Sequence, residues 1–469
     1  MIQDVEWRTE LSNKREKRFY HPNIRAIGEG ICVSKGPFGR PITVPSTMAA
    51  ATMNPILESL QAINETRLEI RSQTASSPAN YFILVPTLRC NIACKYCQVS
   101  RVAETARGFD WDVKVQAQAL DFICATDAYE ITVEFQGGEP LLRLDVLRAV
   151  TEGLGARGKK AKIVVCTNLQ KVHAEAWEFL KESEALISTS FDGTWADHDL
   201  YRTQGAENLA EFRGNLTKAM EVLGPDRVSL TTTFNPHTAP APHEVFGDMR
   251  ELGVRMMFIR PVNYLGFARK SFRETRDDTP WDDYYLTFLN ALIDHNRGQE
   301  MALSEYYFTY VLRRILDPRR GEHVDLRNPA PLGRDYFVIG ERGDVFPSDE
   351  ARMLYRTGQI DLRIGHVATG LDHQKIAQLN EHADNRSDPE CAKCVYQAVC
   401  GRDLVDDISR YGTIDLPRHR TRHCQRHMSI FDFILKKLAT ASATDLSTMA
   451  AMAGLSSLDV SAYRANYNV

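Results

Sequence analysis

The sequence predicts an α/β protein built on a partial (β/α)6 barrel, with a small domain before the barrel and a cysteine-rich domain after it. Three observations predict this. Between about residues 80 and 300, six apolar runs of strand length alternate with stretches of helical period. That alternation is absent before residue 80 and after residue 300. Seven of the ten cysteines fall in two tight motifs, one in the barrel segment and one near the C-terminus.

The expected organisation is residues 1–79 as an N-terminal extension, 80–300 as the barrel, 301–439 as the cysteine-rich domain and 440–469 as a tail. In the extension, GICVSK and RPITV read as short strands around Gly36-Pro37, NPILESLQAINETRLEI as a helix and SQTASSPAN as a linker. The barrel strands are expected at Tyr81–Pro86, Ile131–Gln136, Lys162–Thr167, Leu186–Phe191, Val228–Thr233 and Met256–Pro261. Most are near-continuous apolar runs, which suggests burial on both faces of a parallel sheet. LLRLDVLRAVTEGL, VHAEAWEFLKES, NLAEFRGNLTKAMEVL and HEVFGDMRELG supply the intervening helices. Six units fall short of the eight that close a full barrel, and a doubly wound sheet fits the same pattern. Beyond residue 300, EYYFTYVLRRIL reads as a helix, DYFVIGERGDVFPS as a hairpin turning at Glu341-Arg342-Gly343, and SIFDFILKKLA as a helix. The Ala/Ser/Thr-rich tail is expected to be loosely ordered.

Composition bounds the function. Hydrophobic residues are 43% and charged residues 25%, the balance of a globular chain. The net charge of −4 gives no global case for nucleic acid. No signal core or membrane span is apparent, so a cytosolic, thiol-reducing setting is expected. Clustered cysteines there read as metal ligands rather than disulfides. Cys32, Cys124 and Cys166 stand alone and read as small buried hydrophobes.

The strand YFILVP runs into TLRCNIACKYCQVSR, placing Cys90, Cys94 and Cys97 just past a C-terminal strand end, where barrel enzymes build active sites. Three thiolates in C-x3-C-x2-C suit three irons of a cubane [4Fe–4S] cluster, leaving one iron open. On spacing alone, a zinc site with a distant fourth ligand remains. The motif, with the aromatic Tyr96 before its third cysteine, resembles the radical S-adenosylmethionine (SAM) superfamily. That resemblance implies that the open iron binds the methionine end of SAM. It also implies a SAM-facing set at the following strand ends: Gln136, Gly137, Gly138 and Glu139 in QGGEP, then Thr167 and Asn168, then Ser190, Asp192 and Arg202. Glu139 would meet the SAM ammonium and Arg202 its carboxylate. For His198, a packing role weighs as much as a functional one.

Cys391, Cys394, Cys400 and Cys424 form C-x2-C-x5-C-x23-C, a closed site for zinc or a second cluster by spacing. It resembles an auxiliary cluster of the SPASM extension found in peptide-modifying radical SAM enzymes. The family's other auxiliary cluster takes cysteines where this chain has Ser348 and Leu404, so one auxiliary [4Fe–4S] cluster is expected. FQGGEPLL, FPSDEARM, RIGHV and HCQRHMSIFDFIL narrow the resemblance to maturases of His-Xaa-Ser peptide systems, over about residues 80–437.

The function this implies is reductive cleavage of SAM to a 5′-deoxyadenosyl radical, then crosslinking of a ribosomally made precursor peptide. A flavodoxin- or ferredoxin-like reductant would serve as partner, and residues 1–79 would either recognise a leader as an added strand or be a plain extension packing on the barrel. Asp349, Glu350 and Arg352 are the candidate catalytic residues, although a surface salt-bridge set is the favoured reading for them. Other readings are a radical SAM enzyme acting on RNA or on a sulfatase-type protein, and a non-catalytic iron–sulfur carrier. The arginines of RHRTRHCQRH invite the RNA reading, but charges that offset a cluster or are merely solvated suit them better.

Overall fold

Six parallel strands follow one another in the expected order: β1 (Tyr81–Leu84), β2 (Glu130–Phe135), β3 (Lys160–Thr167), β4 (Leu186–Ser190), β5 (Val228–Phe234) and β6 (Met256–Pro261). Each pairs with its sequence neighbour, with Phe135 opposite Val165 and Thr167 opposite Thr189. This computed structural model describes residues 24–27, 31–34, 78–272, 278–316, 331–334 and 336–455. The sheet stays open. β7 (Ser304–Glu305) adds in parallel beside β6, and β8 (Tyr336–Ile339) adds in parallel beside β1. β8 turns at Gly343 (φ +86°) into β9 (Asp344–Phe346), as the sequence expects of this hairpin. The expectation did not include its attachment to the barrel's first strand.

Helices α1 (Val113–Cys124), α2 (Leu144–Ala156), α3 (Ala174–Glu182), α4 (Ala206–Leu223) and α5 (Pro242–Glu251) link consecutive strands. Their apolar faces, such as Val146, Leu147, Val150 and Leu154 of α2, pack on Val133, Phe135, Ile163, Val165 and Ile187 of the sheet. The near-continuous apolar reading of the strands needs correction here. β3, β4 and β5 alternate. Ile163, Val165, Ile187 and Leu230 are buried, whereas Lys162, Cys166, Ser188, Ser190, Ser229, Thr231 and Thr233 line an internal cavity. Only the helix-covered face demands apolar side chains, so Ser and Thr fill alternate positions.

After β6 come α6 (Pro280–Asn296), α7 (Tyr306–Leu316), α8 (Asp349–Arg356), α9 (His373–Ala383), α10 (Leu404–Tyr411), α11 (Arg422–Thr440) and α12 (Ala443–Met452). α12 corrects the expectation of a loose tail. Ser442 caps it, Leu446, Met449 and Met452 are buried, and the Met452 carbonyl accepts from Ser304 Oγ at 2.7 Å. Residues 456–469 lie outside the described residues.

The chain divides into two units, residues 1–60 and 61–469. Within the first, Ile24–Ile27 pairs antiparallel with Ile31–Ser34. The strand expected in GICVSK is therefore present, with its partner upstream. The expected strand RPITV and helix NPILESLQAINETRLEI lie outside the described residues.

Glu305 anchors the junction of β7, β6 and α7. Its Oε2 accepts from Tyr285 OH (2.5 Å) and Phe308 N (2.7 Å), and its Oε1 from Ile259 N (3.2 Å). Burial pushes its carboxyl up to about 7, against the pull of those hydrogen bonds. The folded chain therefore keeps a proton that the unfolded chain releases above its ordinary carboxyl value. Stability from this group is full at acid pH and is lost as pH rises toward 7, by about 3 kcal/mol at about 1.4 kcal/mol per pH unit. Glu305→Gln should flatten the apparent Tm between pH 5 and 7. An unchanged slope would exclude this account.

Candidate active site

The loop carrying the first three cysteines is clamped from two sides. Gly138 N donates to Thr87 O (3.0 Å) and Glu139 N to Arg89 O (2.8 Å). On the other side Phe267 N donates to Cys97 O (2.9 Å). Glycine is required at each contact. A Cβ on Gly137 (φ +130°) would lie 2.3 Å from Thr87 O, one on Gly138 2.0 Å from Arg89 O, and one on Gly266 (φ +50°) 2.2 Å from Gln98 O. The sequence reading assigned Gly137 and Gly138 to SAM. The structure gives them a further task, and it adds Gly266, which no motif marks.

Cys90, Cys94 and Cys97 all line one cavity of about 780 Å³ at the C-terminal strand ends. Burial pushes the Cys90 thiol up to about 12, with Glu139 adding to it, and the Cys94 thiol up to about 11 against the pull of Arg202. Polar donors approach the sulfurs: Asn168 Nδ2 is 3.6 Å from Cys90 Sγ, and Arg202 Nη1 is 3.8 Å from Cys94 Sγ. Three convergent thiols with donors beside them fit the three protein ligands of an open cluster, whose binding would release their protons. Asn91, which sequence reasoning did not mark, takes Asn168 Nδ2 on its Oδ1 at 2.8 Å and so fixes that donor.

The strand-end set is brought together in two layers. Tyr96, Gln136, Gly137, Gly138, Thr167, Asn168, Ser190 and Arg202 lie on the cavity wall. Glu139 and Asp192 stand behind it, 2% and 0% exposed. The Glu139 carboxylate accepts from Thr167 Oγ1, Asn168 N and Leu141 N, and burial holds its carboxyl up at about 7. Asp192 accepts Arg202 Nε at 3.1 Å on both oxygens and the Tyr96 hydroxyl in a short contact. The Arg202 guanidinium also lies over the Tyr96 ring, 5.0 Å from its centroid. His198 takes the packing role. It is 2% exposed, 4.0 Å from the Phe212 ring, with burial pushing it well below the ordinary histidine value.

One reading of the isolated cysteines changes. Cys124 packs on the core as expected, and the Cys32 side chain lies outside the described residues. Cys166 is on the inner face instead, its thiol donating to Glu134 Oε1 at 3.0 Å. Glu134 also receives Gln136 Nε2 (2.6 Å) and the Tyr81 hydroxyl.

The FPSDEARM segment is not on the surface, which corrects the favoured reading of Asp349, Glu350 and Arg352. Asp349 and Arg352 are 7% and 2% exposed and form an ion pair at 2.6 Å, so the charges neutralise each other inside the protein. Ser348 caps α8 through Ala351 N (3.1 Å), which turns Asp349 and Glu350 into the cavity wall. Leu404 and Asp403 line the same wall. Burial and the neighbouring Asp406 push Asp403 up to about 7.

Burial pushes the thiols of Cys391, Cys394, Cys400 and Cys424 up, and Cys400, Cys424 and Cys394 add to the rise at Cys391. Among the described residues no His, Cys, Asp or Glu group is already closed to single-ion spacing. Four thiols suit a closed site, whether for zinc or for a [4Fe–4S] cluster. Of the adjacent arginines, Arg420 is exposed and the other three are ion-paired. Arg418 pairs with Asp407 (2.5 Å), Arg422 with Asp278 and Asp282 (2.9 Å each), and Arg426 with Asp278 (2.7 Å).

Residues 83–209 match a family described as a 4Fe-4S single cluster domain. The chain is 29% identical over 115 residues to an uncharacterized protein of Methanocaldococcus jannaschii, covering 24% of this chain and 38% of that protein. It is 23% identical over 334 residues to a cysteine-type anaerobic sulfatase-maturating enzyme of Clostridium novyi, covering 66% and 83%. It superposes on anSMEcpe with bound AdoMet at a TM-score of 0.63 and 16% identity, covering 80% of this chain and 98% of that one. The fold is of the radical SAM type. Streptococcus suis SuiB bound to S-adenosylmethionine shares it at a TM-score of 0.52 and 13% identity, covering 79% and 82%. A radical SAM fold accounts for the placement of the three-cysteine loop above β1 and of the polar strand ends around it. No helix among the described residues is long and apolar enough to cross a membrane.

Proposed function

We propose that this chain is a radical SAM enzyme that crosslinks a ribosomally made precursor peptide, in a system of the His-Xaa-Ser type. One observation carries the reading: the three-thiol loop, the strand-end set and the Ser348–Glu350 segment line one cavity large enough for a nucleoside and a peptide segment. Solved structures with this fold support it, since anSMEcpe holds AdoMet with a Cp18Cys peptide and SuiB holds the precursor peptide SuiA.

When bound, the cluster supplies the electron that splits SAM into methionine and a radical able to take hydrogen from a peptide carbon. The protein's part is orientation. Asn168 and Arg202 lean on the cysteine sulfurs, and Asp192 fixes Arg202 through two hydrogen bonds. Glu139 holds Thr167 and Asn168 in register behind the wall. Glu350, half-buried and raised above the usual carboxylate range by desolvation and by Asp349, accepts the proton lost as the crosslink closes. Cys391, Cys394, Cys400 and Cys424, within a SPASM-like domain of residues 301–439, would hold one auxiliary cluster, which would supply an acceptor for the released electron. A flavodoxin- or ferredoxin-like protein reduces the first cluster in the cytosol. Residues 1–79 receive the leader of the peptide.

Co-expression with the peptide of the neighbouring reading frame under low oxygen tests this. The expected product is lighter by about 2 Da per crosslink and resists fragmentation between the linked residues. An unchanged mass with both clusters intact excludes crosslinking. A second reading draws on the Clostridium novyi relative, a sulfatase-maturating enzyme by name: modification of a sulfatase-type protein without a crosslink. That product would fragment freely along its chain.

A further inference from the structure

We propose that Arg260 is a carboxylate-binding residue of the cavity, taking an acidic side chain or the C-terminus of the peptide. The inference rests on the peptide reading above. Arg260 tops the inward ladder Met256, Phe258 and Arg260 on β6, all three on the cavity wall. Most other guanidiniums on this wall are committed. Arg202 belongs to Asp192, Arg410 to Asp406 (2.7 Å) and Asp278 (3.0 Å), and Arg426 to Asp278. Arg402 donates to Ile414 O (3.3 Å) and lies 3.8 Å from Asp388.

Among the described residues Arg260 has a long contact from Nε to Thr233 Oγ1, at 3.4 Å, and lies over the Phe258 ring, 6.0 Å from its centroid. Among the described residues no carboxylate pairs with it. Burial lowers its value, with Glu350 opposing and Arg202 reinforcing that shift. A desolvated guanidinium with open N–H groups is costly until an anion meets it, and its fork matches a carboxylate. An unmodified peptide offers carboxylates and no phosphate.

The methionine end of SAM carries the same group. Arg202, however, is the arginine beside Cys94 Sγ, whereas Arg260 also neighbours Glu350 on the hairpin side. This placement favours the peptide as the source. Arg101, whose Nε is buried without a partner, lines the cavity too and is the natural control.

The test uses cluster-loaded protein and Arg260→Gln, Arg260→Lys and Arg101→Gln variants with matched iron content and circular dichroism. Binding is measured for SAM, for the precursor peptide, for a copy with every carboxylate amidated, and for N-acetylglutamate. Arg260→Gln should weaken the native peptide and N-acetylglutamate about 10- to 100-fold, the range of one charged hydrogen-bonded pair. Arg260→Lys should lose less, and the amidated peptide should not distinguish Arg260→Gln from wild type. A loss confined to SAM would keep the carboxylate role and assign it to the methionine end. Unchanged affinity for all four probes, or a loss produced only by Arg101→Gln, overturns the proposal. N-acetylglutamate reports on Arg260 even if no peptide is crosslinked, so failure of the peptide reading is seen separately.

Discussion

Gly138→Ala should strip the first cluster from the protein and leave the four-cysteine site filled. The added Cβ would stand 2.0 Å from Arg89 O and 2.6 Å from Arg89 C, both backbone atoms that cannot swing aside. Arg89 directly precedes Cys90, and its carbonyl already accepts Glu139 N at 2.8 Å. The strain therefore falls on the first ligand. Overpacking against backbone costs on the order of 3 kcal/mol or more. The cheapest relief is to displace the loop, because the strands beneath it are locked by their ladders. Iron and sulfide analysis should show one cluster lost, and 5′-deoxyadenosine formation should fall at least about 100-fold, by about 1.4 kcal/mol per factor of ten. The contact at Gly266 predicts the same outcome from the opposite side of the loop. A variant with full iron content and normal SAM cleavage would mean that the loop yields freely, contrary to the clamp described here.

Replacing Cys90, Cys94 and Cys97 together by alanine should bring SAM cleavage to background under anaerobic reduction. It also identifies the other site. Two cubanes hold about eight irons per chain, and the triple variant should keep about four, all at Cys391, Cys394, Cys400 and Cys424. Retention of about one zinc and no iron would instead make that site a single-ion structural centre. Because the three replaced cysteines lie in a loop outside the β1–β6 strands, the fold should survive the triple change.

The barrel and its cluster loop were legible in the sequence because both are local. Strand-length runs separated by helical periods, and cysteines three or four residues apart, need no tertiary information. What escaped depends on contacts across the chain. β8 joins β1 from about 250 residues away, and nothing in DYFVIG names its partner. Gly266 matters only because Gln98 O presses against it, so it resembles any loop glycine until the two segments meet. Asp349 and Arg352 looked like surface charges because charge usually means solvent, and an i,i+3 ion pair let them go inside. VSLTTTF reads as a strand on either face, yet only the structure shows Ser229, Thr231 and Thr233 facing a cavity. Arg260 and Asp403 are single charged residues in unremarkable runs, which pattern cannot single out. α12 was missed because its Ala and Thr content hid the spacing of Leu446, Met449 and Met452.

α11 joins two places that sequence keeps apart. Its first turn, capped by Thr421, carries Cys424, and the same turns place His423, Arg426, His427 and Ile430 on the cavity wall. The Tyr307 hydroxyl grips His427 Nε2 at 2.6 Å, tying that wall to α7. A 19-residue helix moves as one body about 28 Å long. Whatever draws Cys424 toward its three partner thiols therefore shifts the face that a guest molecule meets. Metal bound at Cys424 and the cavity face would then be coupled through one rigid helix, and a chain starved of metal would offer its guest an altered mould.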